Sequence, residues 1–371
     1  MIKNFCTILI LLSGLLFLIP CAGHAEGDIY VINAGKRYKR TVLVSPVAGD
    51  TSASGTALIQ SLNAITDASA TNPYLIKLEP GVYDLGSNHL SLKEYVDIEG
   101  SGETATTITA LGSDTEDTGT VLGCDNTELR FLTIANTGGA KYATAVFNTK
   151  ASTRLTSMTA EASGATAGEA GTAINRAIYN KESASIITDV CAHVSGTLYT
   201  SPLNCAIDNL VSDAMIIDTK VTATGSAFEF SIGVRNRDCS PSLRSCIIMI
   251  SSNATNDVGI YNLSSSDTLE TSPVINNSMV TASSNTAEGY AIMNGESGAT
   301  GIVGGTVKVN NCNINGKTQS VFNNSPFIFL VSNSLLNGTI INNPGATATC
   351  AGVYDKDFVF YPGTCPIYVS P

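Results

Sequence analysis

The chain has 371 residues, 43% of them hydrophobic and only 14% charged, with 33 Gly and no Trp. That is enough apolar material to fold and too little charge for a solvated, disordered chain. Its 20 Lys and Arg against 31 Asp and Glu leave a net charge of −11, which argues against nucleic acid as a partner. The apolar residues are largely Ala, Val and Ile diluted by Ser, Thr, Asn and Gly, a composition suited to short strands and tight turns, and the class expected is all-β.

The N-terminus reads as a targeting segment. Lys3 supplies a positive start, Ile8 to Ile19 form an apolar run broken only by Ser13 and Gly14, and Gly23-His24-Ala25 sets small residues around a cleavage point after Ala25. The run is shorter than the roughly 18 residues that a spanning helix needs, so residues 1–25 are expected to be a signal peptide. Leu18-Ile19-Pro20-Cys21 also has the outline of a lipobox, although Pro20 is atypical before the cysteine, which keeps a lipoprotein attached at Cys21 as the second reading. The mature chain is expected to be secreted, periplasmic or on the cell surface, with no later transmembrane segment. Without Lys3 it carries 19 basic against 31 acidic residues, a net of −12. It keeps Cys124, Cys191, Cys205, Cys239, Cys246, Cys312, Cys350 and Cys365, an even set that permits disulfides. Cys350 with Cys365 is the favoured pair, and Cys191 with Cys205 and Cys239 with Cys246 close similarly short loops. With no CxxC spacing and only His89 and His193 beyond the leader, a zinc site is not expected.

Residues 26–73 carry a strand-like start at Val42 to Val44. Ser54 to Thr66 follow, with Ala57, Leu58, Leu62 and Ile65 on one side of a short amphipathic helix. Strands and turns then alternate through Tyr74-Leu-Ile-Lys-Leu-Glu-Pro-Gly-Val-Tyr83, Tyr95-Val-Asp-Ile-Glu-Gly-Ser-Gly102 and Thr106-Thr-Ile-Thr109. Beyond them one phrase, small-aliphatic-any-Asn, recurs seven times. It reads Ala145-Val-Phe-Asn148, Ala177-Ile-Tyr-Asn180, Ala206-Ile-Asp-Asn209, Gly233-Val-Arg-Asn236, Gly259-Ile-Tyr-Asn262, Ala291-Ile-Met-Asn294 and Ser320-Val-Phe-Asn323. The asparagines are 32, 29, 27, 26, 32 and 29 residues apart, a solenoid period. A second phrase follows at a near-constant offset, as in Ile186-Ile-Thr-Asp-Val190, Met215-Ile-Ile-Asp-Thr219 and Val274-Ile-Asn-Asn-Ser278. These units are runs of β-rich residues between Gly, Asn and Ser, with no helical period, so each is expected to be one coil of a β-helix over 74–345. Stacked coils set like residues on like, and the repeated Asn is expected to form a structural amide ladder. The open ends need cover, for which the helix of 26–73 and the aromatic segment 346–371 serve as caps.

The wording of residues 74 to 110 resembles the opening coils of the pectin lyase-like superfamily, above all the pectinesterases. The resemblance implies a right-handed, single-stranded parallel β-helix, a fold that hosts many functions. The catalytic pattern of the pectinesterases is not matched: no Gln-Asp pair lies in the repeats, and no Trp is present to follow the family's Arg. The sole echo of their Asp-Phe-Ile-Phe strand is Asp357-Phe-Val-Phe360, which is expected to be a capping strand. Pectate lyases instead use calcium on clustered carboxylates with a basic residue that removes a proton, and such a cluster would have to be assembled from neighbouring rungs.

If the aliphatic residue and the Asn of each phrase point inward, the position between them points outward. That column reads Phe147, Tyr179, Asp208, Arg235, Tyr261, Met293 and Phe322. Aromatic faces flanking a carboxylate and a guanidinium compose a groove for an extended sugar chain, with Phe147, Tyr179, Asp208, Arg235, Tyr261 and Phe322 as ligand-binding candidates. The same column also suits a plain exposed β surface in which Asp208 and Arg235 pair across one rung. Asp208 and Arg235 are the catalytic candidates, with Asp213, Asp218, Arg237 and Asp238 nearby, but one carboxylate gives no paired-acid arrangement for glycoside cleavage. The function expected is a non-catalytic, exported β-helix that binds polysaccharide, a cell-surface glycan or another surface along its flank. The alternatives are a polysaccharide-active lyase, esterase or hydrolase, and a structural rod of an adhesin or fibre. No cofactor is expected, with calcium reserved for bridging this acidic protein to a polyanion.

Overall fold

The computed structural model describes residues 6–12, 15–21, 38–166, 173–196, 203–225, 230–284, 288–296, 301–363, 365 and 367–368. The chain divides into two units, Met1–Arg37 and Tyr38–Pro371. In the first, the apolar run expected to be a leader forms an antiparallel pair, Cys6–Leu12 with Leu15–Cys21. The expected cleavage point at Ala25 lies outside the described residues. None of the described helices is long and apolar enough to cross a membrane.

The second unit is a solenoid in which short strands pair in parallel with the equivalent strands of neighbouring rungs. Three faces result, each with one inward aliphatic column. On the first face Val42, Ile76, Ile98, Leu129, Leu155, Ile187, Ile216, Leu243, Ile275, Val309 and Val331 follow one another in register. On the second, Ile108, Ile134, Ala160, Ala192, Val221, Ile248, Val280, Ile314 and Leu336 do so. On the third, Val121, Val146, Ile178, Ile207, Val234, Ile260, Ile292, Val321 and Ile340 complete the set. These columns meet in one continuous buried core. The corner between the first and second faces holds a left-handed residue on successive rungs, supplied by Phe131, Ser157, Asp189, Asp218, Ser245, Asn277, Asn311 and Asn333. Short polar side chains tolerate that backbone best, which explains the Asp or Asn at the fourth place of most copies of the second phrase.

The asparagines form the ladder that the repeat implies. Each side-chain Nδ2 donates to the Oδ1 of the next rung, from Asn148 to Asn180 at 2.8 Å and on through Asn209, Asn236, Asn262, Asn294 and Asn323. All seven are fully buried. The structure adds an eighth member, Asn342, which accepts from Asn323 at 2.9 Å and lies only 19 residues beyond it. Its phrase, Thr339-Ile-Ile-Asn342, departs from the small first residue of the other copies.

Both ends of the parallel pairing lie further out than residues 74 and 345. Arg40–Val44 already pairs in parallel with Tyr74–Leu78, and the helix α1, Thr51–Ala64, is inserted between those two rungs. The Asp50 side chain caps it by accepting from the Ala53 N–H at 2.9 Å. Leu58 and Leu62 are buried, and at Gly55 a Cβ would stand 2.0 Å from the Asp84 carbonyl oxygen, so only glycine fits there. At the other end the repeat does not break at 346, because Thr347–Ala351 adds another strand to Ile328–Ser332. Val353–Asp355 then meets Phe360–Tyr361 in an antiparallel pair, in the segment that holds the Asp357 echo.

Cys350 and Cys365 form the expected disulfide. The other two short-loop pairings are corrected: Cys191, Cys205, Cys239 and Cys246 are free thiols. Cys191 lies on the second face opposite Lys220, whereas Cys205 lies on the third face opposite Arg176, so chain proximity does not bring them together. Cys205, Cys239 and Cys246 are buried, which pushes the first two thiols up to about 12 and the third up to about 11.

Candidate functional site

The third face carries a site because its strands have a local irregularity written into the repeat. The ladder passes from Thr144↔Arg176 directly to Val146↔Ile178 and skips the small residue of each phrase, Ala145 and Ala177 here and Ala206, Gly233 and Gly259 further on. The space is tight, since a Cβ at Gly259 would stand 2.4 Å from a methyl of Val280. The skip places two successive residues inward, so the outward residues on one rung are those immediately before the small residue and two after it. Arg176 and Tyr179 are such a pair, with the Arg176 guanidinium carbon 4.0 Å from the Tyr179 ring centroid.

The expected column is present in register, Phe147↔Tyr179↔Asp208↔Arg235↔Tyr261↔Met293↔Phe322. It is not an open groove. Phe147, Tyr179 and Tyr261 are buried, as is Asp208, and the aromatic faces are spent on one another: Phe147 stacks on Tyr179 at 5.2 Å and Phe230 on Tyr261 at 6.0 Å. Lower on the same face Tyr261 and Tyr290 belong to a second, outer apolar cluster with Cys205, Ile232 and Val258, against which Met293 and Phe322 pack. Stacking of sugar rings on Tyr179 or Tyr261 is therefore not available to this arrangement, and the column's chemistry lies in its charges.

Those charges converge on Asp208, which is 0% exposed. Arg235 grips it in a fork, Nε to Oδ1 at 3.0 Å and Nη2 to Oδ2 at 2.6 Å. Arg237 adds Nη2 to Oδ2 at 3.1 Å, and Arg176 sets its Nε 3.0 Å from the same oxygen. Burial alone would raise the Asp208 carboxyl, but Arg235, Arg237 and Arg176 together outweigh it and hold the group well below the ordinary carboxylate range. Asp208 is thus a fixed anion. From outside the repeat, Glu116 reaches Arg176 at 2.6 Å and Asp117 reaches Lys181 at 2.8 Å. Among the described residues, three guanidinium groups against Asp208 and Glu116 leave a local positive excess in a chain of net −11. Among the described residues, Nη1 of the fully buried Arg176 and Nε of Arg237 have no hydrogen-bond partner. On the rung before Arg176 the buried Thr144 hydroxyl also has none, and Thr144 borders a cleft of about 330 Å³ shared with His89, Thr115, Thr118 and Tyr142.

Asp208, Arg235 and Arg237, named from the sequence, are brought together. Asp213, Asp218 and Asp238 are not: Asp213 accepts from the Ser240 N–H, Asp238 from the Ser265 N–H, and Asp218 forms a left-handed corner. Asp357 is exposed and paired with Lys356. Two members escaped sequence reasoning. Arg176 occupies the position before the small residue, which a strict alternation would have turned inward, and Glu116 arrives from 60 residues away. Among the described residues no three His, Cys, Asp or Glu side chains are grouped to hold a metal ion.

No family model matches this sequence, and no curated protein matches it. Solved structures similar to it include the A-module of the mannuronan C-5 epimerase AlgE6 from Azotobacter vinelandii, at 14% identity and a TM-score of 0.45 over 82% of this chain and 86% of that one. ORF18 of Geobacillus virus E2 is similar at 11% identity and a TM-score of 0.47, over 85% of this chain but 61% of its own. The pectin methylesterase PemA from Erwinia chrysanthemi is similar at 12% identity and a TM-score of 0.30, over 89% and 86%. The parallel β-helix itself is read from this chain's own strand pairing.

Proposed function

We propose that this is an exported, non-catalytic β-helix protein, right-handed and capped by its helix and its C-terminal segment, that binds an acidic polysaccharide on the third face at the arginines around Asp208. The observation that carries this reading is the excess of guanidinium over carboxylate among the described residues of an otherwise acidic molecule, with buried N–H groups left over. Guanidinium forks suit the carboxylates of uronic acid residues, and a local positive patch draws a polyanion that the rest of the surface repels. The reading is non-catalytic because Asp208, the carboxylate of the column, is held ionised by three guanidinium groups and does not shuttle protons near neutral pH.

The test is a panel of acidic and neutral polysaccharides, with and without calcium, read at once for binding and for released product. Binding of the acidic polymers without turnover is the expected result. New unsaturated ends, methanol or reducing sugar would overturn the non-catalytic reading, and a blank across the panel would overturn glycan binding in favour of a structural rod.

A further inference from the structure

The segment from Ser113 to Thr120 has an arrangement that the fold itself does not require. Its two ends are pinned by backbone hydrogen bonds to one strand of the third face. Ser113 exchanges N–H and carbonyl bonds with Tyr142 at 2.8 Å each, and the Thr120 N–H donates to the Thr144 carbonyl at 2.9 Å. Between those pins the segment reaches past that strand to the next rung through two carboxylates, Glu116 on Arg176 at 2.6 Å and Asp117 on Lys181 at 2.8 Å. Both carboxylates are about half exposed, at 43% and 52%, while the Arg176 side chain beneath is 1% exposed. Arg176 still carries an unpartnered Nη1 among the described residues, and the cleft beside Thr144 opens along the same segment at Thr115 and Thr118.

We propose that Ser113–Thr120 is a displaceable strap whose Glu116 carboxylate occupies, in the free protein, the place on Arg176 that a carboxylate of the ligand takes. The inference rests on the binding reading above and adds its regulation. Glu116 is the solvated partner of this pair and passes to water on release, while an incoming uronate that engages Arg176 together with Arg235 and Arg237 keeps the buried guanidinium paired throughout the exchange. The outer pins involve neither carboxylate, so releasing Glu116 breaks none of them. Displacement uncovers Arg176 and lets its Nη1 find an acceptor, which couples ligand binding to opening of the segment. An attached carboxylate competes at an effective concentration that a free one has to overcome.

The experiment compares the wild-type chain with Glu116→Gln and with the control Asp117→Asn, titrating each with an oligogalacturonate and with a neutral oligosaccharide of equal length. Hydrogen exchange of the 114–119 amides is followed in parallel. The strap predicts that Glu116→Gln binds the acidic oligomer about fivefold or more tightly than wild type, since the competing carboxylate is gone, while Asp117→Asn moves affinity less. It also predicts faster exchange at 114–119 when the acidic oligomer is added to wild type. Equal affinity in wild type and Glu116→Gln, or unchanged exchange on saturation, overturns the strap and leaves the binding reading standing. Failure of all three proteins to bind the acidic oligomer overturns the binding reading, and the strap with it.

Discussion

Two ionic clusters on this solenoid are mirror images in composition. Near the N-terminal end one guanidinium, Arg130, is surrounded by acceptors: Glu99 at 2.8 Å, Glu128 at 2.9 Å and the Tyr38 hydroxyl at 3.0 Å, with Asp97 3.9 Å away. Its carboxylates are further tied down, Asp97 by Tyr38 and the Glu128 N–H, Glu128 by Thr156, and Glu99 by Lys77. In the middle of the third face the ratio is inverted, with one carboxylate, Asp208, among three guanidinium groups. Every donor of the first cluster is matched, as expected of a clamp between rungs. Among the described residues the second keeps donors in reserve, and buried donors without acceptors are costly unless something is meant to meet them. Number of partners, and not burial, separates a structural cluster from one built to receive an anion.

That contrast is broken most severely by removing either centre. Asp208→Asn leaves three guanidinium groups crowded without their counter-ion and should lower stability by about 3–5 kcal/mol in urea unfolding. Arg130→Met should cost a comparable amount, because it strands carboxylates that are themselves little exposed. If Arg130→Met were neutral, the clamp reading of the N-terminal cluster would fail. Next in size is the ladder: Asn236→Leu removes an amide that both accepts from Asn209 and donates to Asn262, leaving two buried groups unpaired at roughly 1–3 kcal/mol each. Acid should act on the Asp208 cluster through its depressed native pKa. The stabilisation is complete above the unfolded value near pH 4 and is lost as pH falls through the lower native value, so wild type should lose more stability than Asp208→Asn between about pH 4 and pH 2. The smallest effect belongs to Asp117→Asn, whose exposed pair with Lys181 is worth less than about 1 kcal/mol.

Much of the scaffold is legible in the chain because a solenoid repeats its local rules. The small-aliphatic-any-Asn phrase places the inward aliphatic and the ladder amide as expected, while its small residue resets the alternation and its variable position is covered rather than open. Asn342 is harder to see because its interval shrinks to 19 residues and its rung lacks the small residue: Thr339 pairs with Gln319 and Ile340 with Val321, leaving nothing opposite Ser320. The site was half legible. Asp208, Arg235 and Arg237 follow from register, but Arg176 required knowing that the skipped residue resets the alternation. Glu116 belongs to a segment outside the repeat, and periodicity is silent about where such a segment lands. The burial of Phe147, Tyr179 and Tyr261 also escaped a strand-by-strand reading, since cover on the outer face depends on contacts distant in sequence.

The central claim is that the arginines around Asp208 receive a carboxylate. The measurement that tests it most directly is calorimetric titration of an oligogalacturonate against its carboxyl-reduced neutral counterpart, using wild type and Arg237→Met, at low and at physiological salt. The account predicts binding of the acidic oligomer alone, weakened by Arg237→Met and by salt. Equal affinity for both oligomers, or an unaltered affinity in Arg237→Met, would contradict it.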